Sequence, residues 1–308
     1  MSGDILLRQL EYLVALHREE HFGRAAAACH VSQPALSAAL RKLERQLDVP
    51  IVNRGQRYGG LTEEGTQVLG WAHRILAERD ALLLDLDRLH QGLTATVRIG
   101  AIPTAVPALP WLTTALTDRH PQARVRIEVL SSAEIVRRLA EFELDAALTY
   151  LPEEPDHRTR TLPLYRERYL LLTPVDGPLS DRESLGWADL AGVPMCALST
   201  SMQNRRILDA ALAESGVQAD VVVEADTVES LYAHLRTRRW SSVVAHPWPH
   251  SYGVPSGMRL IPISPNPHTP AVGLITGDQT PWSLAAAALH DAVLAADIGT
   301  RLDENTPL

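Results

Sequence analysis

The chain has 308 residues, 45% apolar and 21% charged, with 29 Lys and Arg against 37 Asp and Glu for a formal charge of −8. That is a globular composition long enough for two or three domains, and the acidic balance excludes a chain coated throughout with basic residues for nucleic acid. Two cysteines, Cys29 and Cys196, exclude a disulfide framework and any Cys-x-x-Cys metal site.

The start, MSGDILLRQLEYL, has no apolar core followed by a cleavage site. No run of about eighteen apolar residues occurs anywhere, so a cytoplasmic chain without a membrane segment is expected. Residues 5–18 read as a helix with Leu6, Leu10, Leu13, Val14 and Leu16 in one broad apolar stripe. A short second helix follows at 23–30, where small alanines allow another helix to approach closely. Ser32 is a good N-cap, and Pro34 falls in a first turn, where its missing N–H costs nothing. Leu36, Leu40, Leu43 and Leu47 then form the buried stripe of a third helix.

Two short helices joined by a tight turn, the second with a polar outer face, make a helix-turn-helix pattern. Ser32, Gln33, Pro34, Ser37 and Arg41 lie at the N-terminal end and outer face of the helix that would enter a major groove. Gln and Ser hydrogen-bond base edges there, and Arg reaches guanine or phosphate. A solvated face on any helical protein fits the spacing equally well. Charge distribution leans toward a local contact: residues 1–60 hold eight Arg and Lys and six Asp and Glu, which leaves −10 on the remainder.

Glycine density in 53–60 suggests a turn-rich wing, with Arg54 and Arg57 placed for phosphates. Thr62 caps a long helix whose first turn carries Glu63 and Glu64, where the helix dipole favours acids. Val68, Ala72, Ile75, Arg79, Leu82, Leu86 and Leu89 follow at four-three spacing, a heptad seam interrupted by Arg79. A seam over 62–91 points to dimerisation; packing on its own domain is the alternative. Beyond Val97, short strands (97–100, 125–130, 144–149, 169–173, 194–198, 221–224, 242–245 and 271–276) alternate with helices (near 105–118, 133–142, 204–215, 227–238 and 282–296). This is an α/β texture with a mostly parallel sheet expected. The last strand and helix are expected to rejoin the first series.

Residues 6–65 closely resemble the DNA-binding domain of LysR-type transcriptional regulators. Leu10, Ala25-Ala26, Val31-Ser-Gln-Pro34, Ser37, Leu43-Glu44, Val49-Pro50, Arg54 and Leu61-Thr-Glu-Glu-Gly65 carry the resemblance. It implies an N-terminal all-α winged helix-turn-helix (1–65), a linker and dimerisation helix (62–91), and a C-terminal α/β two-lobed effector domain like the periplasmic binding proteins. Lobe I would comprise 96–166 and 269–300, and lobe II 167–268. The resemblance also implies binding to an interrupted inverted repeat in promoter DNA, homodimers or homotetramers, contact with RNA polymerase, and activation or repression in response to a small effector between the lobes.

Four positions depart from the family pattern. Ile51-Val52 stands for the usual Leu-Phe, Arg24 for a hydroxyl residue, and Asp48 for a glycine at the end of the recognition helix. A further stretch, Arg239–His246, occupies the place of a Gly-x-Gly turn, which puts Trp240 and His246 near a subgroup-specific pocket. The segment from His21-Phe22 to Glu44 is especially similar to the peroxide-sensing members. Their two sensor cysteines match Gln203 and Leu212 here, so a two-cysteine mechanism is not expected. A single-thiol response of Cys196 stays open, although its strand setting suits a small buried hydrophobe.

In such lobes, ligands gather beyond the C-terminal ends of strands, where helix N-termini point N–H groups inward. Thr104, Ser132, Thr200 and Gln203 stand at such junctions and form the expected effector set. Each hydroxyl could equally be a plain N-cap. Converging N–H groups suit an anionic metabolite, with Arg205 or Arg206 adding charge; a neutral ligand stays open. No cofactor or metal is expected. His246-Pro-Trp-Pro-His250 has metal-like spacing, but its prolines forbid a helical pair. No GxxxxGK[ST], GxGxxG, HExxH or GxSxG occurs, so an enzyme is not expected. A solute-binding module without regulatory output fits the lobes but not the DNA-binding domain.

Overall fold

A computed structural model describes residues 4–54, 58–91, 93, 96–154, 159–266, 268–278 and 282–304, with the side chains of 54, 81 and 83–91 outside the description. The chain divides into two compact units, Met1–His90 and Gln91–Leu308.

The first unit runs α1 (Leu7–Glu19), α2 (Phe22–Ala28), α3 (Gln33–Leu47), β1 (Val52–Arg54), β2 (Tyr58–Leu61) and α4 (Glu63–Gln91). The apolar stripes meet in one core: Leu10, Leu13 and Leu16 of α1, Ala25 and Ala26 of α2, and Leu36, Leu40 and Leu43 of α3. Small side chains on α2 let it lie close between its neighbours. Helix α3 ends at Asp48, whose φ of 56° is the left-handed conformation that glycine favours, so the departure from the family pattern is accommodated by an Asp in that same backbone state. Strands β1 and β2 pair antiparallel as the wing.

The seam on α4 divides. Val68 and Ala72 pack into the first unit's own core, whereas Ile75 and Leu82 are exposed, as is Trp71 beside them. Arg79 turns back to pair with Glu11 of α1 and with Asp80. Of the seven seam positions, Leu86 and Leu89 lie outside the described side chains. The alternative of packing within one domain therefore holds for the first turns of the helix.

The second unit begins with β3 (Thr96–Ala101), a 3-10 turn at Pro103–Ala108, α5 (Leu109–Arg119), β4 (Arg124–Val129), α6 (Ser132–Ala140), β5 (Ala146–Tyr150) and β6 (Thr159–Arg166). The chain then crosses to β7 (Tyr169–Pro174), a 3-10 turn at Trp187–Leu190, β8 (Pro194–Leu198), α7 (Gln203–Glu214), β9 (Asp220–Ala225), α8 (Val228–Leu235), β10 (Ser242–Ala245), α9 (Pro249–Tyr252) and β11 (Met258–Pro262). It returns with β12 (Ala271–Gly277), α10 (Leu284–Ala296) and α11 (Ile298–Glu304).

The first lobe is a five-stranded sheet in the order β4-β3-β5-β12-β6. It is mixed, not mostly parallel. Strands β4, β3 and β5 are parallel, but β12 comes back from the second lobe antiparallel to both β5 and β6. Strand β6 escaped the sequence reading because Arg160, Pro163 and Arg166 interrupt any apolar run in it. It lies at a sheet edge, where proline is tolerated.

The second lobe has β10-β7-β11 antiparallel and β8-β9 parallel. Strands β7 and β10 are covered on both faces, which explains their continuous apolar runs. Leu171 and Val243 point to one core with Leu208 and Leu212. Their neighbours Leu170, Leu172 and Val244 point to a second core with Val228 and Leu231. No helix among the described residues is long and apolar enough to cross a membrane.

Candidate nucleic-acid interface and ligand cleft

The start of α3 is built as its sequence dictates. Ser32 Oγ accepts from the Ala35 N–H at 3.3 Å, with Pro34 in the first turn. Gln33, Pro34 and Arg41 are exposed along the outer face, while Ser37 is half-buried and its carbonyl accepts from Arg41 Nε at 3.4 Å. Arg54 has its backbone in β1, its side chain being outside the description, and Arg57 lies outside the described residues. The helix is tied to the wing from behind. Glu44 accepts from the N–H groups of Ile51 and Val52 at 3.1 and 3.3 Å. Thr62 Oγ1 donates to Pro50 O at 2.7 Å and accepts from the Gly65 N–H at 2.8 Å. Glu44, Pro50, Thr62 and Gly65 are thus one clamp that fixes α3 against the start of α4.

In the second unit, Thr104, Ser132 and Gln203 line one hollow with Tyr150, Met202 and Asn204. It contains about 210 Å³ of unfilled space, part of it open to solvent. Two helices start at its wall. Helix α6 is capped by Ser131, whose Oγ accepts from the Glu134 N–H. Helix α7 has no side-chain cap, so its first N–H groups and dipole face the hollow unneutralised. Ser132 Oγ is buried without a hydrogen-bond partner.

Behind the hollow sits a buried polar chain. Tyr150 OH accepts from Asn204 Nδ2 at 3.3 Å, lies 3.4 Å from Thr104 Oγ1, and donates to Glu167 Oε2 at 2.9 Å. Tyr169 OH donates to the same oxygen at 3.2 Å. Burial pushes the Glu167 carboxyl above the usual carboxylate range. Sequence reading missed Tyr150, Glu167 and Asn204. Tyr150 ends a strand and Asn204 adjoins Gln203, so both carried the strand-end signal; Glu167 carried none.

Three expected effector residues do not join this set. Thr200 is exposed, its carbonyl accepting from Arg206 Nη1 at 3.2 Å. Trp240 is half-buried beside His234 and under the Arg239 guanidinium. His246 is fully buried where the lobes cross, accepting from the Arg168 N–H at 3.2 Å and meeting the Tyr165 ring edge-on. Burial lowers its pKa to about 4. This buried imidazole lies at the crossover, apart from the residues that line the hollow. Of the two arginines, Arg205 is paired with the carboxylates of Asp209 and Glu224, whereas exposed Arg206 donates to the carbonyls of Thr200 and Ser201 and keeps its charge; neither lines this hollow.

The thiols are equally constrained. Cys196 is 1% exposed within β8, and burial pushes its thiol up to about 12. Burial, then the charge of Glu11, also raises Cys29. At pH 8 iodoacetamide is expected to modify Cys196 on the order of a thousandfold more slowly than a free thiol, because so little thiolate is present. Peptide mass spectrometry of the native chain checks this; modification at the rate of an unstructured cysteine would contradict it. Among the described residues no cluster of three metal-ligating side chains occurs.

Comparison with known proteins agrees with this architecture. Residues 7–66 match the family "Bacterial regulatory helix-turn-helix protein, lysR family", and residues 90–297 match "LysR substrate binding domain". The chain is 32% identical over 226 residues to the DNA-binding transcriptional dual regulator OxyR of Escherichia coli (strain K12), covering 73% of this chain and 74% of that one. It is 30% identical over 231 residues to a probable RuBisCO transcriptional regulator of Porphyra purpurea, covering 73% of each. A full-length OxyR variant from Pseudomonas aeruginosa, a single-substitution mutant, superposes with a TM-score of 0.75 at 26% identity, covering 97% of both chains. A lysR-type helix-turn-helix domain followed by a LysR substrate-binding domain accounts for nearly all of the sequence, and the chain belongs to the LysR family of transcriptional regulators.

Proposed function

We propose that this regulator reads promoter DNA through Gln33, Pro34, Ser37 and Arg41, with Ser32 fixing the helix start and Arg54 and Arg57 on phosphates, and that it answers a small anionic metabolite held by Thr104, Ser132 and Gln203. The observation that carries the effector reading is the meeting of Thr104, Ser132 and Gln203 on one hollow at an uncapped helix N-terminus. Backbone N–H groups and a hydroxyl without a partner suit a carboxylate. Exposed Ile75 and Leu82 on α4 support pairing of two chains along that helix.

The mechanism is a population shift. An effector that binds one closure of the lobes better than the other favours that closure, changes the spacing of the DNA-binding heads in the homodimer or homotetramer, and so alters DNA bending and access for RNA polymerase. The similarity to OxyR does not bring a thiol response with it. The resemblance sets Gln203 and Leu212 at the positions of the two sensor cysteines, and Cys196 is buried.

Titration of the full chain with a panel of short mono- and dicarboxylates, read by calorimetry, tests the site. Thr104→Ala and Ser132→Ala are each expected to weaken the responding acid about tenfold, the loss of one good hydrogen bond to a charged group, while DNA affinity stays unchanged. Undiminished affinity in both variants would remove the hollow from the account.

A further inference from the structure

The sheet of the second lobe is not continuous. Strand β8 pairs with β9 on one side, and β10 pairs with β7 on the other. Between β8 and β10 there is a single bridge, Met195 to Ser241. There the Cys196 N–H donates to Ser241 O at 2.9 Å and the Ser241 N–H to Pro194 O at 3.1 Å. A parallel ladder continued from that bridge would next join Val243 to Cys196 and Leu198. Among the described residues no such hydrogen bond joins the strands.

Beyond the bridge the strands splay, and a hollow passes between them. It is lined by Met195, Leu208 and Leu212 from one core of the lobe and by Cys196, Leu198 and Leu231 from the other. It contains about 690 Å³ of unfilled space, part of it open to solvent. Pro103, Thr104 and Pro107 of the first lobe also border it. Backbone hydrogen bonds of both strands are left unmade where they part. We propose that this gap is a second ligand site, in which a neutral, flat, largely apolar molecule seats between β8 and β10.

The wall chemistry sets the ligand class. Its cation, Arg205, already gives Nε to Asp209 at 2.8 Å and Nη1 to Leu198 O at 2.9 Å and Glu224 at 3.2 Å. No free positive charge is left there for a carboxylate. Trp248 and Tyr252, with ring centroids 4.7 Å apart, form an aromatic wall. Open strand edges on both sides offer N–H and C=O groups to a ring that carries a donor or acceptor. An aromatic heterocycle meets all three conditions. The hollow at Ser132 shares Thr104, Leu198 and Asn204 with this wall but adds Ser131, Ser132 and Gln203, so it is the more polar of the two.

Indole is the test probe, with benzoate as its anionic counterpart, titrated into the full chain by calorimetry. Indole is expected to bind once per chain. Ala197→Leu, which fills the gap from β8, should weaken indole at least tenfold, and Gln203→Ala, at the other hollow, should leave it within twofold. In unmutated protein, amide exchange should slow at Leu198 and Val243 when indole is present, a readout that needs no variant. Absent or non-saturable indole binding, unchanged binding in Ala197→Leu, loss in Gln203→Ala, unchanged exchange at those amides, or benzoate binding as tight as indole would each overturn the proposal. Failure of the carboxylate reading is distinguishable, because it would leave indole binding and its loss in Ala197→Leu intact.

Discussion

Gly65→Ala is expected to lower the stability of the first unit by about 3 kcal/mol, the upper range for forcing a methyl into filled space. A Cβ built at Gly65 falls 2.0 Å from the Ile51 carbonyl oxygen and 3.0 Å from Thr62 Oγ1. Both atoms belong to the clamp between α3, the wing and α4. Neither can move freely, since the Ile51 carbonyl accepts from the Thr62 N–H at 3.0 Å and Thr62 Oγ1 is bonded to Pro50 O. The methyl must push the wing away from the helix. Gly70→Ala is the control. A Cβ there meets nothing within 4 Å, and the position is exposed in the same helix, so alanine should stabilise by about 0.5–1 kcal/mol. Calorimetry of the full chain checks both. For a unit of this size the first transition should fall on the order of 10 °C in Gly65→Ala and rise by a few degrees in Gly70→Ala. An unchanged first transition in Gly65→Ala would mean that the clamp is looser than its distances indicate.

Arg41→Ala is expected to weaken binding to the promoter site by about 1–3 kcal/mol, a factor of roughly five to a hundred and fifty, without affecting folding. Arg41 is exposed on the outer face of α3, two turns from Gln33, and its only described hydrogen bond is a long one to Ser37 O. Its guanidinium is therefore available to DNA at little cost. The salt dependence separates two roles. If Arg41 pairs with a phosphate, the loss is uniform across sequences and the slope of log affinity against log salt falls by about one. If it reads a guanine, the loss is concentrated on the cognate site and preference relaxes at that base. Fluorescence anisotropy on cognate and scrambled duplexes over a salt series measures both. Equal affinity of wild type and variant for both duplexes would take α3 out of the interface.

What the sequence revealed follows from the physics that each residue obeys. Strands 194–198 and 242–245 were legible to the residue because they are short apolar runs between turn residues, buried on both faces. The N-cap at Ser32 and the stripe Leu36, Leu40 and Leu43 were legible because capping and amphipathic spacing are local. Strand β6 was not, since its place depends on β12, more than a hundred residues away in the chain, arriving between it and β5. The same limit applies to the cleft. The strand-end rule selected Thr104, Ser132 and Gln203, which meet, but also Thr200, which points to solvent. Nothing local separates a residue that begins a loop facing the hollow from one that turns away. Glu167 and His246 lie at the crossover of two lobes, so their burial is a property of packing that no nearby residues announce. Gly65 was recognisable as part of a family motif; its reason, the close approach of Ile51 O, is visible in three dimensions alone.

We propose that a small acid in the second unit controls how the first unit sits on DNA. Footprinting on the intergenic DNA upstream of the protein's own reading frame, with and without the carboxylate panel and with hydrogen peroxide, tests it most directly. Protection of an interrupted inverted repeat is expected, shortened or shifted by one carboxylate, with Thr104→Ala blunting that shift and peroxide leaving it unmoved. A footprint that no carboxylate alters but peroxide does, with the change abolished in Cys196→Ser, would contradict it and assign the control to the thiol.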